Sequence, residues 1–168
     1  MNSMKEIRIE KVTFNVGAGR DDKLLQKSIK LLELVTGTKV IKTVTSKRIP
    51  GWSVRPGLAL GCKTTIRGKK AEELLKRMLE GKENLLKTKN FDDHGNFSFG
   101  IPEYISIPDM KYDPDLGMLG FELAVTLTRP GFRIKKRRLF KKKVPQRHSI
   151  TQKDAIEFVK KKFGTKVE

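Results

Sequence analysis

A few residue groups have types that catalysis or ligation uses. Gly17-Ala18-Gly19 follows an apolar alternating run and precedes a helical pattern, which is where a phosphate cradle would sit. It lacks the G-x-G-x-x-G spacing, and no Gly-Lys-Ser or Gly-Lys-Thr triplet of a Walker loop occurs in the chain. A tight strand-to-helix turn accounts for it. Asp109, Asp113 and Asp115 fall on one short stretch, but their spacing departs from a calcium loop and lacks its closing Glu. His94 sits in a turn cluster and His148 in a basic run, and neither neighbours a candidate nucleophile. Cys62, the single cysteine, excludes an internal disulfide and any multi-Cys zinc site. It lies on the apolar face of an alternating run, where a thiol packs as filler. The residues therefore predict no metal, no cofactor and no enzyme.

The elements that would position these residues can be read from periodicity. Ile7 and Ile9, then Val12, Phe14 and Val16, alternate with polar residues. The phase slips between the two sets and predicts a strand with a bulge near Glu10–Lys11. Leu24, Leu25, Ser28, Ile29, Leu31, Leu32 and Val35 predict a helix from Asp21 or Asp22 to Gly37. Lys39–Thr45 reads as a strand. Ser46–Gly57 reads as a loop, because Pro50-Gly51 and Pro56-Gly57 both signal turns. It carries the only tryptophan, Trp52, with Lys47, Arg48 and Arg55. Two readings stand for Trp52: a contact surface among cations, or an anchor folded back onto the core.

Leu58–Arg67 alternates most cleanly. Leu58, Leu60, Cys62, Thr64 and Ile66 share one face, and Ala59, Gly61, Lys63, Thr65 and Arg67 share the other. The second face is small, hydroxylated and cationic, so a sugar-phosphate backbone can lie close against it. A helix follows over Lys70–Glu80. Phe97, Phe99 and Ile101 predict a short strand, with a further apolar block at Tyr104, Ile105 and Ile107. Phe121, Leu123, Val125 and Leu127 predict another strand. Thr151 and Asp154 form a capping box before a last helix closed by Gly164. Strands interleaved with helices give an α+β fold: a single domain over 1–168, with helices on one face of an antiparallel sheet. No apolar run reaches the ~20 residues of a membrane span, and Met1–Glu10 lacks the apolar stretch of a secretory leader.

The net charge of +18 is concentrated in two acid-free windows. Residues 34–71 carry nine cations and no acid, and residues 123–153 carry eleven and no acid. Elsewhere acidic and basic groups nearly balance. Such windows repel themselves unless a polyanion neutralises them, and nucleic acid does so with release of condensed counterions. A membrane surface fits less well, because Arg133–Lys143 offers only Ile134, Leu139 and Phe140 as apolar partners.

Five motifs stand in order: K-V-T-F-N-V-G-A-G (11–19), T-G-T-K-V (36–40), G-C-K-T-T-I-R-G (61–68), N-F-D-D-H-G-N-F-S-F-G-I (90–101) and L-T-R-P-G-F (127–132). Together they resemble the large-subunit ribosomal protein L-five family in its archaeal and eukaryotic form, over nearly the whole chain. The resemblance implies a sheet that binds 5S ribosomal RNA and helps attach it to large-subunit rRNA in the central protuberance. It also implies a loop that reaches peptidyl-site tRNA, an intersubunit bridge to a small-subunit head protein, and a neighbouring 5S-binding ribosomal protein. The setting it implies is the large subunit of the cytoplasmic ribosome.

Carried over residue by residue, the resemblance assigns 5S rRNA binding to Asn15, Thr38, Trp52 and Thr65, and the neighbouring cations Lys39, Lys63 and Arg67 are expected to join them. Thr38 stands where the family has Gln, and one hydroxyl cannot repeat a two-ended amide contact. Trp52 stands where the family has Phe, so stacking is retained. Lys47, Arg48 and Arg55 fall in the tRNA-facing loop. Arg133, Lys135, Lys136, Arg137, Arg138, Lys141, Lys142, Lys143 and Arg147 are assigned to other rRNA contacts. The segment 132–148 is expected to be loose in the free protein and ordered on rRNA. Two rivals remain at this point: an RNA-binding module outside the ribosome, and a hydrolase acting on RNA, which would need an acid–base pair or metal cluster.

Overall fold

The computed structural model describes residues 2–168, so Met1 lies outside the described residues. Its elements run β1 (Arg8–Gly17), α1 (Asp22–Thr36), β2 (Ile41–Val44), β3 (Ala59–Ile66), α2 (Lys69–Glu80), β4 (Leu85–Leu86), β5 (Phe97–Ile101), β6 (Phe121–Thr128), α3 (Gln152–Phe163) and β7 (Lys166–Val167). Five strands form one antiparallel sheet in the order β2-β3-β1-β6-β5. β4 and β7 make a separate parallel pair. The architecture is α+β, and both halves of the chain contribute to the one sheet.

The bulge forms where the phase slip puts it. The β1–β6 register shifts between Ile9 and Lys11, which returns Val12, Phe14 and Val16 to the buried face. α1 starts at Asp21, whose carboxylate accepts from the Lys23 and Leu24 N–H groups, and stops at Gly37 in the left-handed region at φ 58°. Thr151 and Asp154 close the capping box of α3.

Leu25, Leu31, Leu32 and Val35 of α1 and Leu74, Leu75, Met78 and Leu79 of α2 are buried in one cluster with Val12, Phe14, Cys62, Phe99, Leu123 and Val125 of the sheet. α3 adds Ala155 and Val159. Full burial of each large side chain contributes about 1.5–3 kcal/mol.

The apolar block at Tyr104–Ile107 forms a 3-10 turn (Tyr104–Ser106), and the buried Tyr104 hydroxyl accepts from the Asp113 N–H at 2.8 Å. Two local details differ from expectation. β2 is shorter than Lys39–Thr45. The Ser46–Gly57 loop has ladder hydrogen bonds: Ile49 and Val54 exchange backbone bonds of 3.0 and 3.1 Å. The loop is thus pinched at its neck and rounded by a 3-10 turn at Pro50–Trp52.

Candidate nucleic-acid interface

The period of two along each strand leaves one sheet face to the core and the other uncovered. Register places the uncovered residues in rows. One row runs Ile41, Lys63, Asn15, Glu122, Gly100 across all five strands. The next runs Thr65, Thr13, Ala124, Ser98. Only Thr13 among these nine is half-buried, and the rest are exposed. The face is low in relief, rich in hydroxyls and amide, and bears one large apolar side chain, Ile41. A third row, Thr43, Gly61, Gly17, is tighter still. A Cβ at Gly61 would press on the Val16 carbonyl, so only glycine lets β3 and β1 sit this way.

The structure places Asn15, Lys63 and Thr65 together on this face, with Arg67 following β3 and Lys39 preceding β2, all exposed. Thr38 differs. It is half-buried, and its hydroxyl lies 2.9 Å from the Thr36 hydroxyl and 3.2 Å from that of Thr64. Thr36 in turn donates to the Leu32 carbonyl at 2.6 Å. A hydroxyl chain therefore ties the end of α1 to β3.

Trp52 is 71% exposed, so the core-anchor reading is set aside. The Arg20 guanidinium donates to its carbonyl at 3.4 Å. Lys47, Arg48 and Arg55 are exposed on the same loop, while Val54 turns inward and is buried.

The 46–57 loop of the first window and the 132–148 segment of the second end up far apart. Gly17 pairs with Gly61 at one end of β1, where the 46–57 loop enters β3. Arg8 pairs with Thr128 at the other end, where the second window leaves β6. A ten-residue strand spans roughly 30 Å. Within the second window, every residue from Arg133 to Lys143 is exposed. That includes the candidates Arg133, Lys135, Lys136, Arg137, Arg138, Lys141, Lys142 and Lys143, and Arg147 is exposed beyond them. Lys136 pairs with Glu10 at the β1 bulge, and Lys135 lies 4.5 Å over the Phe132 ring.

Sequence reading missed several members of this surface. Thr13, Ser98, Gly100, Glu122 and Ala124 have the period-two signal, but only pairing reveals that they share rows with Asn15 and Thr65. Arg129 was also hidden. Counted among the free cations of its window, it is largely buried and spends its donors on Ser149, His148 and Asp154.

Among the described residues, no group of three or more His, Cys, Asp or Glu is placed to hold a metal. No helix among them is long and apolar enough to cross a membrane. Burial pushes the Cys62 thiol up to about 11, so it stays protonated at neutral pH and lacks the thiolate a nucleophile needs. The shallow depressions on the sheet are lined by Asn15, Gly100, Glu122 and their neighbours.

Two family models match in tandem: that of ribosomal protein L5 over residues 2–55, and that of the same ribosomal family's C-terminus over residues 59–158. Curated relatives carry the name large ribosomal subunit protein uL5. That of Sulfurisphaera tokodaii is 42% identical over 99% of this chain and 95% of its own length. That of Nanoarchaeum equitans is 45% identical over 98% and 97%, and that of Methanosphaera stadtmanae 40% identical over 100% of both. The sheet crosses the junction between the two matched segments, since β3 inserts between β1 and β2, and with both segments matched and relatives aligned end to end, the chain belongs to the ribosomal protein L5 family.

Proposed function

We propose that this protein is a structural, non-catalytic constituent of the large ribosomal subunit that binds 5S ribosomal RNA on the outer face of its sheet. The observation that carries the reading is the pair of exposed rows through Asn15 and Thr65, joined to family membership. Lys63, Arg67 and Lys39 supply phosphate contacts. Asn15, Thr13 and Thr65 offer hydrogen bonds to riboses and bases, and the small residues let the RNA backbone approach. Glu122 repels phosphate and suits donors such as 2′-hydroxyls and base amines. Thr38 acts from behind by holding α1 against β3.

The exposed 46–57 loop, roughly 30 Å from the 132–148 segment, serves peptidyl-site tRNA and the small-subunit head through Lys47, Arg48, Arg55 and Trp52. The segment 132–148 docks on large-subunit rRNA and orders there, so the protein helps fix 5S RNA in the central protuberance beside a neighbouring 5S-binding protein. Its setting is the cytoplasmic ribosome.

The test is a titration of the purified protein with 5S RNA at increasing salt. If six or more cations engage phosphates, affinity falls ~10³-fold or more between 50 and 200 mM. A flat dependence, or equal affinity for unrelated structured RNA, would remove the reading.

A further inference from the structure

Leu139 and Phe140 are 71% and 83% exposed at the turn of the second window. Phe140 has φ of 52°, a region that a bulky non-glycine residue rarely occupies. The turn is held: Arg137 Nε donates to the Phe140 carbonyl at 2.9 Å, and the Lys142 N–H donates to the Ile134 carbonyl at 3.3 Å. The Lys136–Glu10 pair ties its base to β1. Among the described residues, no aromatic ring or cation stacks on Phe140. Phe132 of the same window is buried by contrast.

A large ring in water and a cluster of like charges are each unfavourable. One kind of partner relieves both: a nucleotide that offers a flat apolar face beside its own phosphates. Paired RNA offers the phosphates, but its bases are stacked away. An unpaired base offers both. We infer that Phe140 stacks on an unpaired base of large-subunit ribosomal RNA while Arg138, Lys141, Lys142 and Lys143 bind the flanking phosphates. The tip is then a base-stacking site in its own right, at the far end of β1 from the 46–57 loop. The inference rests on the rRNA-binding reading above.

The test uses the full chain with Trp52→Phe and Phe140→Trp combined, so that the only indole is at position 140. It is titrated with a large-subunit rRNA transcript, with 5S RNA and with a fully paired RNA duplex. The expected result is strong quenching by the rRNA transcript and little by the duplex. In parallel, Phe140→Ala should bind the rRNA transcript about tenfold more weakly, with unchanged salt slope, unchanged 5S affinity and unchanged Tm. Emission unmoved by rRNA that the wild-type protein binds with steep salt dependence would overturn the stacking and leave the rRNA reading intact. Emission that responds only in assembled subunits would assign the ring to a protein neighbour and also overturn it. A Phe140→Ala variant with lowered Tm would show a packing role instead. Failure of the wild-type protein to bind rRNA would remove the underlying reading, which is a separate outcome.

Discussion

Arg129 donates through Nη2 to the Asp154 carboxylate at 3.0 Å and through Nη1 to the Ser149 carbonyl at 2.8 Å. His148 adds a ring nitrogen 2.9 Å from the Pro130 carbonyl. The basic segment is therefore stapled at its two ends, next to the first turn of α3, and its cations project from a closed base.

Arg129→Ala should lower stability by about 2 kcal/mol, because it leaves a carboxylate and a carbonyl without their charged donor. Arg129→Lys should recover little, since one ammonium cannot repeat the fork. Urea unfolding measures the first effect, and limited proteolysis within 132–148 should show faster cleavage in both variants. Unchanged unfolding and cleavage would mean the staple is idle.

Acid should expose the same staple. Burial pulls the Asp154 carboxyl up, but hydrogen bonds from the Thr151 backbone and hydroxyl, then the charge and hydrogen bond of Arg129, outweigh it and hold the carboxyl below its ordinary range. A depressed folded-state value gives stabilisation that is present above the unfolded pKa and lost as pH falls through the folded one. Thermal melts should therefore show stability declining below ~pH 4. Asp154→Asn should flatten part of that decline and lower stability at neutral pH. An identical acid profile in the variant would contradict the assignment.

Thr65→Val tests the sheet face. Thr65 is exposed opposite Thr13, and valine suits a strand. Affinity for 5S RNA should fall by roughly 1 kcal/mol at constant Tm. A drop in Tm with RNA affinity retained would place the side chain in the wrong role.

Trp52 should emit as a solvent-exposed indole in the free protein, in keeping with its exposure, and respond on adding 5S RNA or assembled ribosomes. Trp52→Ala should weaken the contacted complex by about 1–3 kcal/mol with little change in salt slope. Lys47→Ala with Arg48→Ala should reduce the slope instead. Emission that neither partner moves would take the tryptophan out of the interface.

Much of this molecule is legible in its sequence where a local rule acts. The slip between Ile9 and Lys11 marked the bulge, Asp21 and Gly37 marked both ends of α1, and Thr151 with Asp154 marked the start of α3. Legibility fails where partners are distant or segments are too short for a period. Leu85-Leu86 and Lys166-Val167 pair across most of the second half of the chain with two residues each. The Ile49–Val54 bridge hides between two turn signals. On the interface, Asn15 and Thr65 could be nominated separately, but their rows depend on β6 and β5 lying on the far side of β1. Thr38 and Arg129 show the limit for side chains: type and position suggest RNA contact, while the partners that occupy them, Thr64 and Asp154, lie 26 and 25 residues away.

The central place of β1 imposes an order on synthesis. β1 emerges first, yet one ladder partner ends at Ile66 and the other at Thr128. The 46–57 cations are made long before Glu122 and Ala124 complete the two rows. On the proposed reading, a nascent or truncated chain thus acquires attraction for polyanions before its 5S-binding face is complete. Long-range strand pairing is also slow to form. On that reading, premature encounter of the 46–57 cations with RNA is the hazard that chaperoning of the unfinished chain would have to prevent.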